Sequence, residues 1–389
     1  MVLLLAFPEN CWYFFINLRK SITIVYDYFS PAFKAGGPIQ SLANLVLQLN
    51  NEYEFNVITG AFDKGEKTVL RDVFPDKWNT IEPGIKVFYW VPSLYKLKRL
   101  IKEFKTKTNQ TIYINGLYSL YFNILPLFLC KGNIILAPRG MLHHGALSQK
   151  SFKKKVYLAL FKMFGWHKKI AFHATDENEK KFIEDAFGPG MKIQVAPNVP
   201  KNIGELPGIE KKKGFVSLIS IALVSPMKNF ELVLQALKKA KGEFEYHIYG
   251  PVINQEYWYR CFNLIKEMPE NVKVYYHGEL APLKVKDALS KTHIFILPSV
   301  SENFGHAIFE SFSAGKPVIT SNNTPWKNLI DIKAGWNVNT NQKDLSELLS
   351  SIAEMDNGQY KLFCKGAKQL ANEYFINANF TKAYKILFS

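Results

Sequence analysis

Two glutamates eight positions apart, Glu302 and Glu310, are the side chains of this sequence best placed for chemistry. An apolar run with strand character at 294–297 precedes them, and a second strand begins at 318–320. Between these runs the pattern predicts a helix that opens at residues 303–305. The two carboxylates are therefore expected at the carboxyl end of a strand, where ligands bind in open α/β sheets.

The two carboxylates would do different work. Glu302 lies in the loop, and Glu310 lies about a turn and a half into the helix. The free N–H groups and the positive dipole end of that helix favour a phosphate between them. Carboxylates that flank an anion site are unfavourable unless they bind neutral hydroxyl groups beside it. A nucleotide sugar meets this requirement, because it has a ribose diol at one end, a diphosphate in the middle and sugar hydroxyls at the other end. A solvated loop and a solvated helix face are the plainer interpretation, but a glutamate within an apolar helix needs a partner.

A family resemblance follows from these residues. The motif Glu-Asn-Phe-Gly-His at 302–306 and the run Ser-Ala-Gly-Lys-Pro-Val-Ile at 313–319 resemble the donor-site signature of retaining glycosyltransferases of family 4, of the bacterial surface-polysaccharide type. The resemblance is specific from Ser217 to Trp336 and weaker at 27–45 and 138–149. It implies the GT-B fold, an α/β architecture in which two Rossmann-like, doubly wound domains face each other across a cleft.

The resemblance also implies roles for the donor-site residues. Glu310 would bind the ribose diol and Glu302 the hydroxyls of the donor sugar. Asn303, Phe304 and Gly305 would present backbone amides to the diphosphate. The donor would be a UDP- or GDP-sugar, and neither a metal ion nor another cofactor is expected.

A lysine and an arginine complete the predicted catalytic group with Glu302. Lys228 follows a Ser-Pro turn and precedes a helix, where it can neutralise a diphosphate. In the resembling family an arginine stands five residues earlier, but this sequence has Leu223 there. Either Arg139 or another basic group substitutes for it, or the donor phosphate binds more weakly. A solvated lysine at a helix entry is the alternative for Lys228.

Further loops at strand ends are expected to line the same cleft. Gly36 and Gly37 form the first strand-to-helix loop, where backbone can approach a diphosphate or an acceptor closely. Gly250 ends a strand of the second domain and would wall the base and phosphate, or it is a simple turn residue. The Pro-Arg-Gly-Met-Leu loop at 138–142 is followed by His143 and His144, which could reach a sugar. The sequence shows no third metal ligand near that pair, so no metal site is predicted.

Alternating strand and helix patterns predict two parallel sheets. Strands are expected at 22–26, 55–59, 86–90, 111–114, 133–137, 170–174, 192–195, 216–221, 245–249, 272–276, 294–297 and 318–320. The resulting division is a probable extension at 1–19, an acceptor-side domain at 20–200, a linker at 201–214, a nucleotide-sugar-binding domain at 215–370, and a helix at 371–389 that crosses back to the first domain. Proline, glycine and lysine mark the linker.

The charge balance points to an anionic partner. The chain has 49 basic and 33 acidic side chains, for a net charge of +16. Lysines alternate with aromatic residues at 150–169, which is typical of a segment on an anionic membrane surface and equally of a solvated helix. No nucleic-acid-binding module is recognised, so no nucleic-acid partner is predicted. Four cysteines lie far apart and fit a reducing compartment. We expect a cytoplasmic protein, peripheral on the inner face of the cell membrane.

The sequence thus predicts a retaining, metal-independent glycosyltransferase. It would move a sugar from a nucleotide-diphosphate sugar to a saccharide acceptor, lipid-linked, in surface polysaccharide biosynthesis. Two alternatives stay open. One is a sugar-nucleotide 2-epimerase of the same fold, and the other is a non-catalytic basic protein that binds membranes or nucleic acid.

Overall fold

The computed structural model describes residues 19–106, 110–143 and 151–389. The expected extension at 1–19 therefore lies outside the described residues except for Arg19, and so does His144. All twelve predicted strands are present, and they form two separate sheets. The first sheet has the strand order β3-β4-β2-β1-β5-β6-β7-β8, and the second has the order β11-β10-β9-β12-β13-β14.

Within the described residues, the first domain holds strands β1 to β8 and six helices. Its strands are β1 (Lys20–Val25), β2 (Tyr53–Gly60), β3 (Trp78–Glu82), β4 (Ile85–Trp90), β5 (Thr111–Asn115), β6 (Asn133–Ala137), β7 (Ala171–Ala174) and β8 (Ile193–Val195). Its helices are α1 (Gly37–Leu49), α2 (Leu97–Lys105), α3 (Leu125–Leu129), α4 (Ser151–Met163), α5 (Trp166–Lys169) and α6 (Glu177–Phe187), with short turns at Leu94–Lys96 and Leu120–Ile124.

The second domain holds strands β9 to β14 and most of the remaining helices. Its strands are β9 (Phe215–Ile221), β10 (Glu243–Tyr249), β11 (Val272–Tyr276), β12 (Ile294–Leu297), β13 (Val318–Ser321) and β14 (Gly335–Val338). The helices are α7 (Phe230–Leu237), α8 (Gln255–Lys266), α9 (Val285–Ser290), α10 (His306–Ser313), α11 (Gln342–Ala353), α12 (Asn357–Ala378) and α13 (Phe380–Leu387). Two 3-10 turns, Pro226–Lys228 and Pro282–Lys284, precede α7 and α9.

Each sheet is covered on both faces, so its central strands are apolar on both sides. In β1, Ile24 packs into one core of the first domain and the next residue, Val25, packs into the other. In β9, Leu218 and Ile219 divide between two cores of the second domain in the same way. The period of two residues along a strand therefore builds both layers of each domain.

Two strands and two helical segments differ from the sequence prediction. The single helix expected at 371–389 is the end of α12, which runs from Asn357 to Ala378, followed by α13 after Asn379 at a φ of 37°. The strand β3 was not predicted, and it pairs antiparallel with β4 at the sheet edge. Its connection to β4 is a tight turn at Pro83 and Gly84, and Gly84 has a φ of 86°. The strand β14 was also missed. Helix α10 begins at His306 and not at residues 303–305, because Gly305 adopts a left-handed conformation at its N-cap, with a φ of 79°.

The chain returns to the first domain at its C-terminal end. Phe380, Tyr384 and Phe388 are buried in a core of the first domain. The Tyr384 hydroxyl donates a hydrogen bond of 3.1 Å to the carbonyl of Pro197, where the chain leaves that domain. Further along the linker, Lys211 is buried and donates to the carbonyls of Lys212, Ala353 and Met355 at 2.9–3.2 Å. Both crossings are thus held to the body of the protein.

Candidate functional site: the interdomain cleft

A cavity of about 340 Å³ lies between the two domains. It is bordered by loops that follow the carboxyl ends of strands in both sheets, the position at which doubly wound sheets bind ligands. All ten residues predicted for the site are found there or next to it. The cavity is lined by Gly36, Gly37, Arg139, Lys201, Leu223, Lys228, Gly250, Leu280, Glu302, Asn303, Phe304, Gly305, His306 and Glu310, among others.

Glu310 is a buried carboxylate at the bottom of this cleft. It lies on the second turn of α10 and is only 8 % exposed. Its carboxylate has no hydrogen-bond or ion-pair partner within the described parts of the chain. Burial raises the pKa of Glu310 to about 7, and the nearby charge of Lys201 opposes that rise. A buried acceptor without a donor is costly, so this position is prepared for hydroxyl or other donor groups.

Glu302 and Lys228 form an ion pair across two loops of the second domain. The Nζ of Lys228 lies 2.5 Å from Oε1 of Glu302, which also accepts a hydrogen bond of 2.7 Å from Ser299. The loops that carry them are tied together, because the Val300 amide donates to the Met227 carbonyl at 2.9 Å. The pair therefore occupies a fixed position beside the start of α10.

The N-terminus of α10 points its unpaired amides into the cleft. Because the helix starts at His306, the first amides without a carbonyl partner in the helix belong to residues 306–308. Phe304 anchors the approach to the helix, since its carbonyl accepts a bond of 2.7 Å from the Trp326 indole. The Asn303 side chain faces the first domain, where its Oδ1 accepts a bond of 3.1 Å from Thr175.

Glycines bring the two domains close together at this point. Gly36 has a φ of 80°, which favours glycine, and α1 begins at the next residue. A Cβ on Gly37 would lie 3.4 Å from the ring of His306, so the N-termini of α1 and α10 meet there. Gly250 is required for another reason: a Cβ there would lie 1.8 Å from the carbonyl oxygen of Ala222.

Arg139 is buried beneath the cleft, and its nitrogen atoms are already engaged. The sequence predicted that it could reach phosphate directly. The guanidinium instead donates to Asn115, Ser41, Asn198 and Tyr113 at 2.9, 3.3, 2.8 and 2.7 Å. The backbone of Arg139 has a φ of 54°, and the next amide, Gly140, donates to Glu179 at 2.6 Å. Arg139 thus joins α1, β5 and the segment that follows β8 below the cavity.

Among the cleft residues that were not selected from the sequence, Lys201 and His306 carry groups without partners in the described chain. Lys201 lies in the linker, half-buried, and has no ion-pair or hydrogen-bond partner among the residues that the structure describes. His306 is the first residue of α10, and its Nδ1 is buried without a partner in the described chain. Burial lowers the pKa of His306 to about 3, so its ring is neutral near pH 7. His306 belongs to the motif at 302–306 from which the site was predicted. Lys201 was indicated only indirectly, because Leu223 stands where the resembling family has an arginine and another basic group could take its place.

Of the two histidines after the arginine loop, His143 lies within the described residues and His144 does not. His143 packs its ring against Phe182, with centroids 5.1 Å apart. Within residues 19–106, 110–143 and 151–389, no group of three or more His, Cys, Asp or Glu side chains is arranged to hold a metal ion.

Comparison with known proteins supports the class that this geometry suggests. Residues 205–369 match the family of glycosyl transferases group 1. The chain is 32% identical over 112 residues to the O-antigen biosynthesis glycosyltransferase WclY of Escherichia coli, which covers 29% of this chain and 30% of that protein. It is 23% identical over 350 residues to the O-antigen biosynthesis glycosyltransferase WbnH of Escherichia coli, covering 90% of this chain and 95% of that one.

Solved structures extend the likeness over nearly the whole chain. Sucrose-phosphate synthase (tll1590) from Thermosynechococcus elongatus superposes with a TM-score of 0.71 at 15% identity, covering 95% of this chain and 99% of that one. Anabaena Alr3699/HepE in complex with UDP-glucose gives a TM-score of 0.69 at 15% identity, with 94% and 99% covered. The fold is GT-B, as predicted. The family match and the relatives support a glycosyltransferase of polysaccharide biosynthesis.

Proposed function

We propose that this protein is a retaining glycosyltransferase of family 4 type. It would transfer a sugar from a UDP- or GDP-sugar to a saccharide acceptor carried on a lipid, without a metal ion. The observation that carries the proposal is Glu310, a buried carboxylate without a hydrogen-bonding partner in the described chain, one turn from a helix N-terminus. The HepE structure, solved with UDP-glucose, supports a nucleotide-sugar donor in this fold.

The donor would lie along the cleft in a defined direction. Its ribose diol would donate hydrogen bonds to the carboxylate of Glu310. Its diphosphate would accept from the amides at the start of α10 and from Lys228, with Lys201 as the second cation in place of the arginine missing at Leu223. Glu302 would accept from hydroxyls of the donor sugar. Gly36, Gly37 and Gly250 allow the backbone to approach the diphosphate and base.

In the reaction, the acceptor hydroxyl oxygen forms a bond to C1 of the donor sugar, and the bond from C1 to the diphosphate oxygen breaks. The acceptor proton passes to the departing diphosphate, so the leaving group also acts as the base. The negative charge that grows on the diphosphate is stabilised by the amides of α10 and by Lys228. Among the described cleft residues, no carboxylate is placed as an obvious covalent nucleophile, which favours attack from the same face and retention.

The acceptor and location are part of the same proposal. The O-antigen glycosyltransferases WclY and WbnH support an acceptor in surface polysaccharide synthesis. We place the reaction on the cytoplasmic side of the cell membrane, because Cys130, Cys261 and Cys364 are free thiols that fit a reducing compartment. The anionic membrane surface is the proposed partner, and no nucleic acid is.

The test is a calorimetric titration of donors into wild type and Glu310→Gln. A panel of UDP- and GDP-sugars should yield at least one ligand, and the variant should bind it roughly tenfold to a hundredfold more weakly, as expected for a bond to a charged group. Glu256→Gln is the matched control, because its side chain is 91% exposed on α8. Equal affinity in both variants would contradict the ribose assignment.

Turnover distinguishes the open alternatives. With donor and a lipid-linked saccharide, the product should carry the new sugar in the anomeric configuration of the donor, and the rate should survive EDTA. Isomerised or hydrolysed donor without acceptor would instead indicate an epimerase. A protein that binds no nucleotide sugar would be a non-catalytic binder.

A further inference from the structure

One segment of the first domain carries a concentration of positive charge and no acidic residue of its own. No aspartate or glutamate occurs in the sequence from Phe104 to Thr175. This segment contributes α3, α4 and α5 to one layer of the domain, over the core that contains Phe161 and Trp166. On that layer Lys153, Lys155, Lys162, Lys168 and Lys169 are exposed, and none of them has an ion-pair partner within the described residues.

Helix α4 has two apolar sides, and only one of them is used by the fold. Phe161 is fully buried, and Tyr157 and Leu158 pack partly against the same core. The opposite side exposes further apolar residues, of which Phe152 is 77% and Met163 69% exposed. This outer set is Phe152, Val156, Ala159, Leu160 and Met163.

The outer apolar residues of α4 form a stripe with lysines on both borders. At 3.6 residues per turn their positions fall within an arc of about 100°. Lys153 flanks this arc on one side, and Lys155 and Lys162 flank it on the other. A stripe of this kind with a basic border is the pattern of a helix that lies in the plane of a membrane interface.

The apolar surface continues beyond α4 onto its neighbours. Phe128 on α3 is 56% exposed, and its ring centroid lies 5.5 Å from that of Phe164 and 4.7 Å from that of Trp166. Leu120 and Phe164 are also exposed. Together with the outer stripe of α4 and the five lysines, these residues form what we call the α4 face.

We propose that the α4 face docks on an anionic lipid bilayer and inserts its apolar side chains into the headgroup region. Lysine borders complement the negative surface, and the exposed apolar side chains would leave water on contact. A second copy of the chain is disfavoured, because two α4 faces would repel each other. Nucleic acid is disfavoured because it would leave the apolar stripe in water. No described helix is both long and apolar enough to span a bilayer, so contact in the interface plane is the mode that α4 supports.

The α4 face reaches the cleft through a short path. The Nζ of Lys154 lies 5.4 Å from the ring centroid of Tyr118, whose hydroxyl approaches the Met141 carbonyl at 3.5 Å. Met141 follows Gly140, and a Cβ on Gly140 would lie 3.6 Å from the side chain of Asn303. A docked α4 face would thus hold the acceptor side of the cleft beside the bilayer. The delivery of a lipid-linked acceptor rests on the proposed function, whereas the docking surface does not.

The test is co-sedimentation of the full chain with vesicles. The vesicles contain phosphatidylcholine with about one third phosphatidylglycerol, and pure phosphatidylcholine serves as the neutral comparison. The basic variant is Lys153→Gln, Lys155→Gln and Lys162→Gln. The apolar variant is Phe152→Gln, Leu160→Gln and Met163→Gln. The matched control, Lys239→Gln, Lys273→Gln and Lys286→Gln, removes the same charge from exposed, unpaired positions of the second domain.

Wild type should bind the anionic vesicles, partly resist high salt, and bind neutral vesicles weakly. Each lysine near such a surface is worth about fivefold in partitioning, so the basic variant should lose roughly a hundredfold. The apolar variant should lose the salt-resistant part, and the control should bind as wild type does. Absence of wild-type binding, or equal loss in the control, would overturn the proposal. The proposal would also be overturned if wild type formed a dimer in solution and the apolar variant were monomeric, because the α4 face would then be a contact between two copies of the chain.

Donor titration without vesicles separates this proposal from the proposed function. All three variants should bind the donor as wild type does, because none of the substituted residues lines the cleft. Vesicle binding without donor binding would refute the glycosyltransferase and leave the docking surface standing. Donor binding without vesicle binding would refute the docking surface and leave the nucleotide-sugar site standing.

Discussion

At the scale of single residues, the cleft brings together polar groups that lack partners within the described chain. Glu310 is buried without a partner within the described chain, His306 keeps an unpaired nitrogen, and Lys201 has no counter-ion among the same residues. Each would be relieved by a ligand that carries hydroxyls and phosphates. Burial strongly shifts the pKa values of Glu310 and His306, and groups with shifted pKa values clustered in a cleft are a recognised mark of a functional site.

The raised pKa of Glu310 gives a pH dependence with a definite sign. A diol donates hydrogen bonds best to the carboxylate, so donor binding should release the proton that Glu310 holds below its pKa of about 7. Affinity for a UDP-sugar should therefore rise about tenfold from pH 6 to pH 8 and then level off. Titrations in buffers of different ionisation enthalpy would measure the released proton. A profile equally steep in Glu310→Gln would place the effect elsewhere.

The same shift makes a prediction for stability. Folding raises the pKa of Glu310 from the ordinary value of 4.5 to about 7. Between these two pH values the folded state holds a proton that the unfolded state has lost, so the protein loses stability as the pH rises from about 4.5 to about 7. Glu310→Gln removes that loss and should melt at a higher temperature than wild type at pH 8. The two proteins should melt more nearly together at pH 4, where both side chains are neutral.

Substitutions of the two cleft lysines, Lys228 and Lys201, should affect different kinetic quantities, because one serves the chemical step and the other serves donor binding. Lys228→Ala should lower kcat, because negative charge grows on the leaving diphosphate in the transition state. Lys201→Ala should mainly weaken donor binding, roughly tenfold or more. Leu223→Arg in the Lys201→Ala background should restore affinity if Lys201 stands in for that arginine. Lys239→Ala is the exposed control, and failure of the rescue would assign Lys201 to another part of the donor.

At the scale of elements, what could be predicted depends on whether the information is local. The twelve predicted strands are apolar runs bounded by turn residues, and burial on both faces makes such runs conspicuous. Strand β3 escaped because its residues, Trp-Asn-Thr-Ile-Glu, are half-buried or exposed at a sheet edge. Strand β14 escaped because it begins with glycine and has the polar Asn337 in its middle. The start of α10 depends on the left-handed conformation of Gly305, which propensity alone does not specify.

The site residues, like the strands, could be predicted where the information is local in the sequence. Glu302 and Glu310 could be selected because their spacing around one loop is visible in the sequence. Arg139 was recognised, but its engagement with Ser41 and Asn198 depends on contacts between distant segments. Lys201 enters the cleft from the linker, and the linker's path is set by the crossing of α12 and α13 to the first domain. Lys201 was missed because tertiary structure brings it to the cleft, whereas His306 was missed although it stands in the local motif.

At the scale of the whole molecule, an ion pair connects the two domains at the side of the cleft. Lys34 follows β1 in the first domain, and its Nζ lies 2.8 Å from Glu279, which follows β11 in the second. The same lysine lies 2.6 Å from Glu66 of its own domain. Hydrogen bonds to both carboxylates raise the pKa of Lys34, so it stays charged. A cation shared in this way can hold the domains together around a donor.

Charge reversal tests whether this pair stabilises the closed cleft. Both side chains are partly exposed, so the pair should contribute only about 0.2–1 kcal/mol, or up to roughly fivefold in donor affinity. In a Glu66→Gln background, which removes the competing carboxylate, Lys34→Glu and Glu279→Lys should each weaken donor binding and increase the radius of gyration measured by X-ray scattering. The double reversal restores the attraction with opposite signs and should recover both quantities. If the double variant binds no better than the weaker single variant, the pair is a surface contact, and the domains are held by the contacts of Asn303 with Thr175 and of α1 with α10.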